Sequence, residues 1–262
     1  MTHSHISNLI SRLSSSVKFF IVCLLALGTF PSSAISQSCN DENACNYAPS
    51  PSYCIRVETV ATHTGVVGMN NLDGMTTYRV YAKLANSDDA LSALIGDAEH
   101  LGYFSTTTNF FQHAFGGVTP SGINPAFLGP FPSLAYDSWV TIGIEHSPVA
   151  GEGAISILEE GSEPWVQPFE AGMDIDLTGT VGGGWYTFTN YSNSIAGDDL
   201  EILIGQFTTY GWDSQIYGSI NLQGRQGDFE SFVARDQYFG WVPAPATMVL
   251  VGLACLQRRR RL

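Results

Sequence analysis

Apolar positions recur along most of this chain with a period near two. Tyr78, Val80, Ala82 and Leu84 alternate with Thr77, Arg79, Tyr81 and Lys83, which places the charged side chains on one face of an extended segment and the apolar ones on the other. The cluster Asn86-Ser87-Asp88-Asp89 reads as a turn, and the extended pattern resumes over residues 90–95, so these two runs predict a hairpin. The same alternation returns over residues 55–61, 103–111, 139–145, 154–158, 173–177, 185–189, 200–208 and 215–222, with Gly, Pro, Asn and Asp between the runs. No run carries a sustained 3.6-residue apolar stripe of helical length. The pattern predicts an all-β domain over residues 55–241, an antiparallel β-sandwich or jelly roll. The Gly- and Pro-rich stretch 116–138 reads as a long connection passing over it.

Two apolar runs break this rhythm, one at each end. Residues 1–16 are polar, Lys18 follows, and residues 19–30 are almost uninterruptedly apolar; Pro31 then precedes Ser32-Ser33-Ala34. That order of a polar, then apolar, then small-residue region predicts a signal peptide over residues 1–36, removed by signal peptidase. At the other end, residues 242–262 read Val-Pro-Ala-Pro-Ala-Thr, then an apolar run predicted as a hydrophobic helix, then Gln257 and four arginines. The run falls short of the roughly 20 apolar residues that span a bilayer unaided, yet its basic end obeys the positive-inside rule.

The tail resembles the PEP-CTERM sorting signals of bacteria on Pro243, Pro245, Ala246, Thr247, the pair Gly252-Leu253 and the basic end Arg258, Arg259, Arg260 and Arg261. Ala244 stands where that family has its name-giving glutamate. The resemblance implies an exosortase-type processing enzyme as partner, transient membrane association through the tail, and delivery to the cell surface or beyond.

Cysteine usage adds a leader between the signal peptide and the β-domain. Cys39, Cys45 and Cys54 lie within residues 37–54 among Asn, Asp, Pro and Ser, and in an oxidising compartment they predict one disulfide, with Cys45 joined to Cys39 or Cys54. The run Ala44-Cys45-Asn46-Tyr47 also resembles a short extracellular cysteine repeat of bacteria, present here as one shortened copy.

Charge narrows the partners. Six of the eleven basic residues lie in the two end segments, whereas residues 37–241 hold all 24 Asp and Glu against five basic residues, a net charge of −19. So acidic a domain repels phosphate backbones, which excludes nucleic acid as a partner.

Catalytic patterns are few. Nucleophile elbows, zinc-binding His-Glu-x-x-His helices and phosphate-cradling loops do not occur in the sequence. Glu145-His146 at a strand end is the candidate for acid/base work, for which a glycosidase needs a second carboxylate about 5–10 Å away. Asp174 and Asp176 share a strand face that suits calcium if a facing loop adds oxygens; no other cofactor is implied. Trp212, in Tyr210-Gly211-Trp212-Asp213 at a hairpin tip, is the candidate for stacking on a sugar ring. The sequence thus predicts an exported, non-catalytic cell-surface or extracellular-matrix protein. Its alternative is a secreted carbohydrate-binding module or glycoside hydrolase, with extracellular polysaccharide as partner.

Overall fold

The computed structural model describes residues 53–240. In chain order its strands are β1 (Cys54–Thr62), β2 (Val66–Val67), β3 (Asn70–Asn71), β4 (Thr76–Lys83), β5 (Ala90–Gly96), β6 (Tyr103–Thr106), β7 (Trp139–Val140), β8 (Ser156–Leu158), β9 (Ile175–Asp176), β10 (Gly183–Tyr186), β11 (Glu201–Thr209), β12 (Ile216–Arg225) and β13 (Ser231–Gly240); one short helix, α1 (Val166–Glu170), lies between β8 and β9. A four-stranded sheet runs β1-β4-β11-β7, and a seven-stranded sheet runs β8-β10-β5-β12-β6-β9 with β13 on the free side of β12. The fold is mostly antiparallel β, and its sheets include a curled half-barrel. β12 organises the larger sheet: its first half pairs with β6, its second half with β5, and its other side with β13 throughout.

Side chains of both sheets meet in one core. Val80 and Ala82 of β4 and Ile202, Ile204 and Phe207 of β11 join Leu91 and Leu94 of β5, Trp185 of β10, Ile220 and Leu222 of β12 and Phe239 of β13. The period-two pattern explains most of this set, since alternate residues of a strand face the same side. In β11 a bulge between Leu203 and Gly205 shifts the alternation, so Ile204 and Phe207, three residues apart, face the same core. Phe104 of β6 is the hub, its ring centre 4.8 Å from Phe239, 5.2 Å from Phe207 and 5.6 Å from Trp185. The buried indole N–H of Trp185 donates to the carbonyl of Thr141 at 2.8 Å, which removes the cost of burying that polar end.

The structure corrects the hairpin expected from residues 77–84 and 90–95. β4 and β5 belong to different sheets. The reason lies in the turn between them. Asp89 is fully buried and its carboxylate accepts from the backbone N–H of Asn86 at 3.0 Å and of Gly227 at 3.3 Å. The turn is thereby tied to the β12–β13 connection, and the chain crosses from one sheet to the other.

The long connection is built as a lid of 3₁₀ turns (Pro120–Gly122, Pro125–Phe127 and Pro132–Tyr136), each begun by a proline as the fixed φ of proline favours. Ile123 and Leu134 of this segment pack with Trp139 and Leu203 in a second apolar cluster. β11 is therefore covered on both faces, and it lacks the exposed alternate residues of a one-sided strand. At the start of the segment the buried carboxylate of Asp137 accepts from the backbone N–H of His113 at 2.7 Å and of Gly117 at 3.2 Å. Gly116 has to be glycine here, because a Cβ would lie 1.8 Å from Asp137 Oδ2.

Candidate functional site

Two of the concavities on the domain bring polar side chains together from distant parts of the chain, and they differ in how those side chains are engaged. The first, about 360 Å³ in volume, includes Tyr81, Glu145, Glu152, Ser192, Asn193 and Glu201 in its lining. Register places Arg56 of β1 opposite Tyr81 of β4, and Tyr81 opposite Leu203 of β11. The Arg56 guanidinium lies 4.2 Å over the Tyr81 ring. It donates to both carboxylate oxygens of Glu201 at 2.7–3.0 Å and to Glu58 at 3.0 Å. The hydrogen bond to Glu201 holds this cation above its ordinary range. Arg79 donates through Nη1 and Nη2 to the two oxygens of Glu145. Burial works against the Arg79 cation, but its pairing with Glu145 outweighs that and raises it.

Most polar side chains of this groove have an internal partner. Glu152 Oε2 accepts from the Val149 N–H at 2.9 Å, Ser192 Oγ donates to the Gly151 carbonyl, and Asn193 is bonded at both ends of its amide to backbone groups. Glu145 and His146, adjacent in sequence, part company: His146 Nδ1 lies 2.9 Å from the carbonyl of Ser147 and so donates to it. What the sequence presents as an acid/base pair is, in the fold, one half of an ion pair beside a histidine bonded to main chain. The groove does bring Glu145, Glu152 and Glu201 to one place from separate segments.

The second concavity is a cleft of about 480 Å³ lined by Asn109, Phe110, Gln112, Glu170, Ala171, Gly172 and Tyr210. Three segments converge on it. Residues 109–111 run beside the end of β11, with N–H of Phe111 donating to Thr208 and N–H of Tyr210 donating to Asn109. The third segment is the end of α1. Gly172, at φ +85°, closes this helix in the left-handed conformation that favours glycine. Its N–H donates to the Phe169 carbonyl, and its own carbonyl accepts from Phe110 N–H at 2.8 Å. A Cβ at Gly172 would lie 2.7 Å from the Phe110 oxygen. Phe110 and Gly172 are buried and form the floor, while Asn109, Glu170, Ala171 and Tyr210 stand exposed at the rim.

Each amide of this cleft commits one of its two N–H groups and keeps the other. Asn109 Nδ2 donates to the Gly172 carbonyl at 3.3 Å, Gln112 Nε2 donates to the Phe169 carbonyl at 2.9 Å, and Glu170 Oε1 accepts from the Val118 N–H at 3.1 Å. Among the described residues nothing donates to Asn109 Oδ1, Gln112 Oε1 or Glu170 Oε2, each of which can accept. Burial holds the Tyr210 hydroxyl above its ordinary range, so near neutral pH it is a donor.

Trp212, two residues beyond Tyr210, is 58% exposed, but its indole lies against Gly74, with Nε1 2.7 Å from where a Cβ there would sit. Asp174 Oδ1 accepts from Thr106 N–H, and Asp176 Oδ1 accepts from the N–H and hydroxyl of Thr178. Among the described residues no group of three or more His, Cys, Asp or Glu is arranged to hold a metal ion. Cys54 opens β1 opposite Lys83. Cys39, Cys45, Pro243, Ala244, Pro245 and the four arginines from Arg258 to Arg261 lie outside the described residues. Among the described residues no helix is long and apolar enough to cross a membrane.

The cleft is invisible to motif reading, because its polar side chains come from three distant stretches of the chain, at positions 109 and 112, 170, and 210. No family model, curated protein or solved structure matches this chain.

Proposed function

We propose that this chain is an exported, non-catalytic protein of the bacterial cell surface or extracellular matrix, whose β-sandwich or jelly-roll domain acts by binding. Signal peptidase removes the first segment, and an exosortase-type enzyme reads the PEP-CTERM-like tail. Cys45 forms a disulfide with Cys39 or Cys54 and ties down the leader. The observation that supports binding over turnover is the state of the polar groups. In the first groove Arg56 and Arg79 occupy both oxygens of Glu201 and Glu145 and leave Glu152 as its unclamped carboxylate, whereas the second cleft sets Glu170, with no arginine on it, beside two amides and an exposed tyrosine.

A glycoside hydrolase is the second reading, favoured by the three glutamates around one groove. Incubating mature protein recovered from the cell surface with a panel of extracellular polysaccharides separates the two. Saturable retention without new reducing ends is the expected result. Release of reducing ends that disappears in Glu145→Gln would establish the hydrolase instead.

A further inference from the structure

We propose that the cleft lined by Asn109, Gln112, Glu170 and Tyr210 is a binding subsite for a neutral saccharide. This rests on the binding function proposed above and assigns it a place and a ligand class.

Complementarity of hydrogen bonding carries the assignment. Each amide side chain commits one N–H to a main-chain carbonyl of the α1 end, so each presents its oxygen and a second N–H to an incoming molecule. Glu170 adds a third, charged acceptor, since only its Oε1 is taken. Acceptors and donors fixed side by side suit a ligand rich in hydroxyls, which both donate and accept, and hydrogen bonds to a charged acceptor are the stronger kind. Tyr210 supplies a hydroxyl donor and an exposed ring edge, held by its edge-to-face contact with Phe111 at 6.3 Å between ring centres. Ala171 and the buried floor of Phe110 and Gly172 provide apolar surface for the C–H face of a sugar ring. The volume of about 480 Å³ falls within the roughly 300–1,000 Å³ usual for small-ligand sites.

The same features argue against the other ligands that acceptors attract. Calcium takes 6–8 oxygens, and the cleft offers one carboxylate whose first oxygen is already bonded, with two amide oxygens. An anionic polysaccharide meets Glu170, and beyond it a domain carrying a net charge of −19 over residues 37–241.

The test uses mature protein recovered from the cell surface and neutral oligosaccharides of two to six glucose, galactose, mannose or N-acetylglucosamine units, titrated by calorimetry. Glu170→Gln is isosteric, sits at an exposed position and keeps an oxygen for the Val118 N–H. Tyr210→Phe keeps the ring contact and removes only the hydroxyl. Saturable binding of at least one oligosaccharide, weakened tenfold or more by Glu170→Gln and severalfold by Tyr210→Phe but not by Glu152→Gln in the other groove, is the expected pattern. Unaltered binding by the first two variants, with melting temperatures matching the parent, overturns the assignment of the cleft and leaves the binding function in place elsewhere on the domain. Binding of Ca²⁺ alone or of charged glycans alone overturns the ligand class. Silence across the panel overturns the saccharide subsite, whereas export and surface sorting are judged separately by the fate of the tail.

Discussion

Phe207→Ala lowers the stability of the domain by about 3–5 kcal/mol, the usual cost of removing a buried aromatic ring. Phe207 is fully buried, and its ring centre lies 5.2 Å from Phe104, 5.4 Å from Phe110 and 6.1 Å from Phe169. These three neighbours belong to β6, to the segment beside β11 and to α1, so one side chain of the four-stranded sheet holds three other parts of the fold. Truncation leaves a cavity that rigid neighbours fill only in part. Because Phe110 floors the cleft and Phe169 supplies the carbonyl that orients Gln112, saccharide binding should weaken along with stability. Denaturant titration monitored by tryptophan fluorescence measures the first effect. A loss below about 1 kcal/mol would mean that the site collapses around the deletion and that Phe207 is not the link described here. Set against a total stability of roughly 5–15 kcal/mol for a domain, the expected loss is large.

The buried carboxyl of Asp137 makes stability depend on pH in an unusual direction. Burial pushes it up to about 7 from an ordinary 3.8, the negative charge of Glu170 acts in the same sense, and backbone N–H bonds from His113, Gly117 and Ser138 pull the other way without prevailing. Between these two values the folded chain binds the proton that the unfolded chain releases. The contribution of this group is therefore complete below pH 4, declines as pH rises towards 7 and stays constant above it, a change on the order of 4 kcal/mol.

His63 and His113, both lowered by burial, act oppositely. Their contribution is present above about pH 6.5 and is lost as pH falls through their folded values. The wild-type profile is thus a composite, and the difference from Asp137→Asn isolates the carboxyl. The stability of wild type minus that of the variant should fall by several kcal/mol from pH 4 to pH 8, read from denaturant midpoints. A difference independent of pH would show that Asp137 is ionised in the fold throughout this range.

What the sequence shows of this fold depends on whether local pattern or distant contact decides each element. β4 is legible because Val80 and Ala82 reach the main core while Arg79 and Tyr81 lie half-buried on the opposite face, with nothing to disturb the alternation. β13 escapes the pattern because of a bulge. Asp236, at φ +54°, inserts a residue between Ala234 and Gln237, both buried, and a strict period of two fails across it. β4 and β5 read as a hairpin because the polar turn between them looks solvated. Only the fold reveals that Asp89 is buried and tied to Gly227, 138 residues away.

The same division governs the candidate sites. Glu145 stands out in the sequence as a carboxylate beside a histidine, but its partner Arg79 is 66 residues distant, and the pairing changes its chemistry from acid to anchor. Trp212 draws notice as an aromatic at a turn, and the structure leans it on Gly74 while Tyr210 lines the cleft. The hydrogen-bonding character of the cleft follows from which amide atoms face main-chain carbonyls. That is a property of three-dimensional contacts, and no residue spacing encodes it.

Export and sorting through the tail are the centre of this account, and an epitope tag placed after Leu262 tests them most directly. If the tail is read and cut as proposed, the full-length precursor carries the tag, and the mature protein exposed on the cell surface reacts with antibody to its β-domain but not to the tag. Surface-exposed mature protein that still carries the tag would contradict processing at Pro243-Ala244-Pro245, and with it the sorting function assigned to this chain.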